Sequence, residues 1–134
     1  LAERKTRILV VDDEENIRLL YREELSEAGY EVETASDALD ADRKIPDFAP
    51  DLITLDIKMP GMDGIEYLRK FRQKDKDTPV VLCTAYSDYK KDFKIWASEA
   101  YVVKSFNLDQ LKATIADVLE RSRQAKADRG KQGE

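Results

Sequence analysis

Strand-like and helix-like stretches alternate five times along this chain, and that alternation leaves few folds open. Three of the strand runs are almost wholly apolar: Arg7-Ile-Leu-Val-Val-Asp12, Asp51-Leu-Ile-Thr-Leu55 and Pro79-Val-Val-Leu-Cys83. A strand without polar alternation is covered on both faces, as in parallel sheets whose crossovers are helices. Glu31–Ala35 and Ala100–Val103 are the other two runs. Helical spacing fills the gaps. Ile17, Leu20, Tyr21, Leu25 and Ala28 share a face within 14–28, with Gly29 just past the end. A second helix has Ser36 as its expected N-cap, Ala38, Leu39 and Ile45 facing inward, and Pro46 as its stop. A third, over about 64–72, presents Ile65, Leu68 and Phe71. A fourth, from Ser87 to about Trp96, carries Tyr89, Phe93 and Trp96. The last opens at Asn107, with Gln110 in capping-box position and a stripe of Leu108, Leu111, Ile115, Val118 and Leu119.

The pattern predicts an α/β domain: a doubly wound, five-stranded parallel sheet of flavodoxin-like order 2-1-3-4-5, with five helices on its two faces. In that order the first and third strands are neighbours, about 4.8 Å apart, and the sheet's switch point lies between them. Asp12 and Asp13 follow the first strand, and Asp56 ends the third. Asp56 opens onto a turn-rich loop holding Pro60, Gly61 and Gly64. Three carboxylates in one crevice repel one another unless a cation sits among them. Oxygen ligands alone favour a hard ion, Mg2+ before Mn2+ or Ca2+, and an acidic Mg2+ site suits phosphoryl transfer. Thr84 after the fourth strand and Lys104 after the fifth offer donors for the oxygens of a transferred group. We read Asp56 as the acceptor of a phosphoryl group. Taken singly, each residue has a plainer explanation: a capping Asp, a structural Thr, a solvated Lys. Their joint placement after strands one, three, four and five is what singles them out.

Composition narrows the chemistry further. The chain has no histidine, which removes the usual general base, the usual zinc ligand and any role as its own phosphohistidine carrier. A net charge of -5 argues against direct nucleic-acid contact by this domain. No apolar run approaches the roughly 20 residues that span a bilayer. The lone Cys83 cannot form an internal disulfide, and a cytoplasmic location is expected. Residues 1–121 are expected to form one domain. Residues 122–134, with no large apolar side chain, are expected to be a frayed, charged extension or the start of a linker.

The motifs Ile-Leu-Val-Val-Asp12-Asp13-Glu14, Asp56-Ile-Lys-Met-Pro-Gly-Met-Asp-Gly64, Thr84-Ala85 and Tyr101-Val-Val-Lys104 resemble, in order and spacing, the receiver domain of two-component response regulators. The resemblance covers about Arg7 to Arg121. It implies that Asp56 takes a phosphoryl group from a phosphohistidine of a sensor histidine kinase or phosphotransfer protein, or from a small phosphodonor. It implies direct Mg2+ ligation by Asp13, Asp56 and the Lys58 carbonyl, with Asp12 acting largely through water. It implies that Lys104 would pair with the phosphoryl group, that Thr84 would move to hydrogen-bond it, and that Tyr101 would swing inward. The surface of the fourth helix, fifth strand and last helix would then change shape and bind a downstream protein target. Lys58 and Tyr86 occupy the positions that flank the phosphoryl group, where a bulky Tyr86 would hinder attacking water. The chain departs from the family pattern at Ser105, where the family has Pro after the lysine, and at Ala97-Ser98, where it commonly has Gly-Ala. Ser105 implies either a strained cis Lys104–Ser105 bond or a trans bond with a rearranged loop.

The leading reading is therefore a phosphoacceptor switch that signals by protein–protein contact and is not an enzyme with its own substrate. The alternative is the receiver portion of a longer regulator with a DNA-binding or enzymatic output. A Mg2+-dependent phosphatase of the haloacid dehalogenase type fits poorly. It would carry Asp-x-Asp-x-Thr after the first strand, where this chain has Asp12-Asp13-Glu14-Glu15-Asn16.

Overall fold

A computed structural model describes residues 4–85, 98–104 and 107–132. Five strands, β1 (Arg7–Val11), β2 (Glu31–Ala35), β3 (Leu52–Asp56), β4 (Val80–Thr84) and β5 (Ala100–Val103), form one sheet in the order β2-β1-β3-β4-β5. All neighbours are parallel. The helices among the described residues are α1 (Glu15–Glu27), α2 (Ala38–Phe48), α3 (Gly64–Lys74) and α4 (Asp109–Gln132). The helix expected over 87–96, which would make five, lies outside the described residues. So do Tyr86, Ala97 and the Lys104–Ser105 bond.

The period-two alternation of each strand divides the core into two layers. Leu9, Val11, Ile53, Leu55 and Leu82 face α2 and α3, meeting Ala41, Ile65, Leu68 and Phe71. Ile8, Val10, Leu52, Val81 and Val102 face α1 and α4, meeting Tyr21, Leu25, Leu111 and Ile115. Helices on both faces explain why β3 and β4 are buried along their whole length.

Four local expectations need correction. Pro46 does not stop α2, which runs on to Phe48. It sits in the last turn, where its missing N–H removes one helix bond without ending the helix. The helix ends at Ala49, which takes a left-handed conformation (φ 51°) ahead of Pro50. The N-cap of α2 is Asp37 rather than Ser36, its side chain accepting from the Asp40 amide at 2.8 Å. From that start the inward face is Ala38, Ala41 and Ile45, and Leu39 turns outward, 78% exposed. Finally, the stretch past Arg121 is helical as far as Gln132. Side-chain pairs one turn apart support it, Arg121–Asp117 at 3.0 Å and Arg123–Glu120 at 3.3 Å, and Arg129 reaches Asp77 at 3.6 Å. Asn107 does serve the start of α4, accepting from the Asp109 amide at 2.9 Å.

Candidate cation and phosphoryl site at the sheet switch point

The C-terminal ends of β1 and β3 lie side by side, with Val11 opposite Leu55. Asp12, the residue after β1, is 2% exposed, and Asp56, the last of β3, is 3% exposed. Asp13 turns outward and is exposed. The three carboxylates each offer an oxygen, and these oxygens all lie within 4.8 Å of one another. The convergence read from strand order is therefore present in the side chains.

One cation already enters this cluster. The Lys104 ammonium, just past β5, lies 2.7 Å from Asp12 Oδ2, 3.3 Å from Asp56 Oδ2 and 3.8 Å from Glu14 Oε1. The strand end that carries it is held by the Lys104 amide, which donates to the Thr84 carbonyl at 2.7 Å. Burial works against the charged lysine. The bond to Asp12 and the charges of Asp12 and Asp56 outweigh burial and raise its pKa. Asp12 is the most committed of the three acids. Its Oδ1 accepts from the Glu14 amide at 2.9 Å, and its backbone carbonyl accepts from Arg18 at 2.8 Å. Sequence reasoning gave Glu14 no role beyond its place in the first motif and missed Arg18, since nothing in the spacing distinguishes it from an ordinary residue of a first helical turn.

Asp56 is pushed up to about 6, first by burial and then by the Asp12 charge, with Lys104 pulling the other way. The sign of the consequence is definite. A carboxyl whose folded pKa lies above its unfolded value of about 3.8 favours the folded state below pH 4, and that contribution is lost as pH rises to 6. Its full size is about 3 kcal/mol, at about 1.4 kcal/mol per pH unit. In a chelating buffer, urea denaturation of wild type should show stability falling by up to that amount between pH 4 and 6, relative to Asp56→Asn. Parallel curves for the two proteins would contradict the assignment.

The remaining expected residues fall where the strand ends place them. Thr84 closes β4 and is fully buried. Cys83, beside Asp56 in register, is also buried, and its thiol is pushed up to about 12, chiefly by burial. That keeps it an inert neighbour. Tyr101 in β5 is partly buried and packs against the α2–α3 layer. Lys58 is exposed. The loop between Asp56 and α3 is pinned by the Gly64 amide, which donates to the Ile57 carbonyl at 2.7 Å. Asp63 caps α3 through the Glu66 amide at 2.8 Å.

The donor set suits a hard divalent ion. Three carboxylates and one ammonium leave an anionic excess in a cleft whose inner carboxyl already resists ionisation. Neither His nor Cys is among the ligands offered.

Fold and site together define a flavodoxin-like domain built around an acidic cleft with a lysine at its mouth. The chain belongs to the response regulator receiver domain family, whose model matches residues 8–116. It is similar to the regulatory protein AtoC of Escherichia coli (strain K12), 36% identical over 116 residues, covering 85% of this chain and 25% of that protein. Among solved structures it is similar to the response regulator protein TrrA of Thermotoga maritima in complex with Mg2+-BeF. That match has 50% identity and a TM-score of 0.80, covering 84% of this chain and 98% of that one. TrrA in complex with the histidine kinase ThkA gives 50% identity and a TM-score of 0.79, covering 85% and 98%. The chain spans about half the length, or less, of the first curated relatives it matches.

Proposed function

We propose that Asp56 is the phosphoacceptor of a signalling switch, loaded from the phosphohistidine of a sensor histidine kinase or phosphotransfer protein. A single observation carries this: Asp12, Asp13 and Asp56 converge within 4.8 Å while Lys104 reaches both Asp12 and Asp56. The solved complex of TrrA with a histidine kinase supports the partner class.

In the transfer, a carboxylate oxygen of Asp56 attacks phosphorus. The phosphorus–nitrogen bond of the donor breaks, and the leaving imidazole takes up a proton. Asp13, Asp56 and the Lys58 carbonyl would hold Mg2+, with Asp12 acting through water. Bound there, the ion supplies neutralisation of the charge on the phosphoryl oxygens. The structure of TrrA with Mg2+-BeF supports that choice of metal. Lys104 starts between Asp12 and Asp56 and pairs with the new phosphoryl oxygens. Thr84 turns its hydroxyl to the same group, and Tyr101 moves into the space released. These differential contacts bias a two-state surface built from the helix expected over 87–96, β5 and α4. That face binds the downstream protein target. The receiver unit is assigned to 1–121, with 122–134 as its charged extension or the start of a linker, in a cytoplasmic protein.

The test is intact-mass analysis after incubation with acetyl phosphate. One phosphoryl group is expected with Mg2+, and none in excess EDTA. Asp13→Asn should need far more Mg2+ to reach the same labelling. Full labelling in EDTA would refute the metal assignment.

A further inference from the structure

Leu19 and Leu39 are the large hydrophobic side chains that stand exposed among the described residues. Leu39 forms one lip of a groove of about 730 Å3 between α2 and α3. Its floor is apolar and rigid. Tyr67 and Phe71 are buried beneath it, and the Tyr67 hydroxyl is tied to Asp42 at 2.7 Å. Met62, from the loop after Asp56, lines one end. The groove follows α3 from Glu66 to Lys74, a length of about 13 Å or two and a half helical turns.

The charges along this groove are sorted. Both helices follow strands of one parallel sheet, so their N-termini lie at the same end. There the groove has Asp37 and Glu66, Asp42 follows partway along α2 with its carboxylate accepting from Tyr67, and toward the C-terminus of α3 it has Lys70 and Lys74. Among the described residues no ion pair occupies Glu66, Lys70 or Lys74. A helix is ordinarily favoured by acids in its first turns and bases in its last. Such a helix matches these charges only when it runs antiparallel to α3, where the two macrodipoles also attract.

A second copy of this chain supplies no such element from the described residues. The part of α4 beyond Arg121 has no large apolar side chain. The Leu19 face of α1 has its arginines engaged, Arg18 with the Asp12 carbonyl and Arg22 with Glu33. We propose that the α2–α3 groove docks an amphipathic helix of a partner protein, acidic in its first turns and basic in its last, lying antiparallel to α3.

The probe is a fluorescein-labelled three-turn synthetic peptide with a leucine face, Glu in its first turn and Lys in its last. A control peptide has Gln in place of those charged residues. At low salt the Glu-first peptide should bind the full chain about tenfold more tightly by anisotropy, as expected for a few screened surface pairs, with the margin shrinking as salt rises. Lys70→Glu/Lys74→Glu should abolish the preference, and Leu39→Asp should weaken both peptides. Amide shifts should fall on residues 38, 39, 62 and 70. Equal affinities for the two peptides, or shifts elsewhere, would overturn the proposal. Groove shifts that follow protein concentration without peptide would also overturn it, because a second copy would then be the occupant.

Discussion

Gly64→Ala should be among the most damaging single substitutions in this protein, although it adds one methyl group. A Cβ at this position would stand 2.1 Å from the Asp56 carbonyl oxygen and 2.9 Å from both the Asp56 carbonyl carbon and the Ile57 Cα. All three are backbone atoms of the strand end that carries Asp56, so no side chain can rotate aside. Either α3 lifts away, breaking the Gly64 amide bond to Ile57, or the end of β3 moves. We expect a loss of about 3 kcal/mol or more, the upper range for overpacking against unyielding atoms. For a domain of this size that lowers Tm by roughly 10 °C. Phosphoryl uptake should fall with it, because the displaced atoms belong to the acceptor. Gly130→Ala, in an exposed turn of α4 with nothing within 4 Å, is the control and should be neutral or slightly stabilising. A melting temperature for Gly64→Ala close to wild type would show that the helix and strand end are not in forced contact.

Lys104→Met is the second large effect. It keeps most of the apolar stem but removes the cation between Asp12 and Asp56. Both carboxylates are nearly inaccessible to water, so their repulsion is poorly screened. Breaking a buried pair from one side should cost about 3 kcal/mol at neutral pH. The loss should be smaller in acid. Without Lys104, the Asp56 carboxyl moves further above its unfolded value, so stability recovers as pH falls and it takes up a proton. Millimolar Mg2+ should also restore part of the loss, and Asp56→Asn in the same chain should restore most of it. Urea denaturation of the single and double variants at pH 5 and pH 7.5, with and without Mg2+, measures each of these. A loss that is equal at both pH values and unchanged by Asp56→Asn would mean that Lys104 acts through packing alone.

These two residues mark how much of the site could be read from the sequence. Asp12, Asp13, Asp56, Thr84 and Lys104 were legible because each ends an apolar run, and a parallel sheet gathers strand ends on one face. Strand order followed from the same alternation. That Lys104 would lie closer to Asp12 than to Asp56 was not legible, since side-chain pairing is set by the relative rise of strands. Nor was the contact of Gly64 with Asp56, because seven intervening residues could have turned in several ways. Leu39 was misplaced for a different reason. Ala38, Ala41 and Ile45 share one face at i, i+3 and i+7, and Leu39 was read inward for its apolar character although it lies off that face. The end of α4 depends on ion pairs that carry no apolar signal.

The central claim is that Asp56, rather than Asp12 or Asp13, receives the phosphoryl group. Borohydride reduces an acyl phosphate to an alcohol and so converts the modified aspartate to homoserine, which peptide mass mapping can locate. After treatment with acetyl phosphate and Mg2+, homoserine should appear at position 56 alone, and Asp56→Asn should give none. Homoserine at position 12 or 13 in the wild type, or undiminished labelling in Asp56→Asn, would contradict the account.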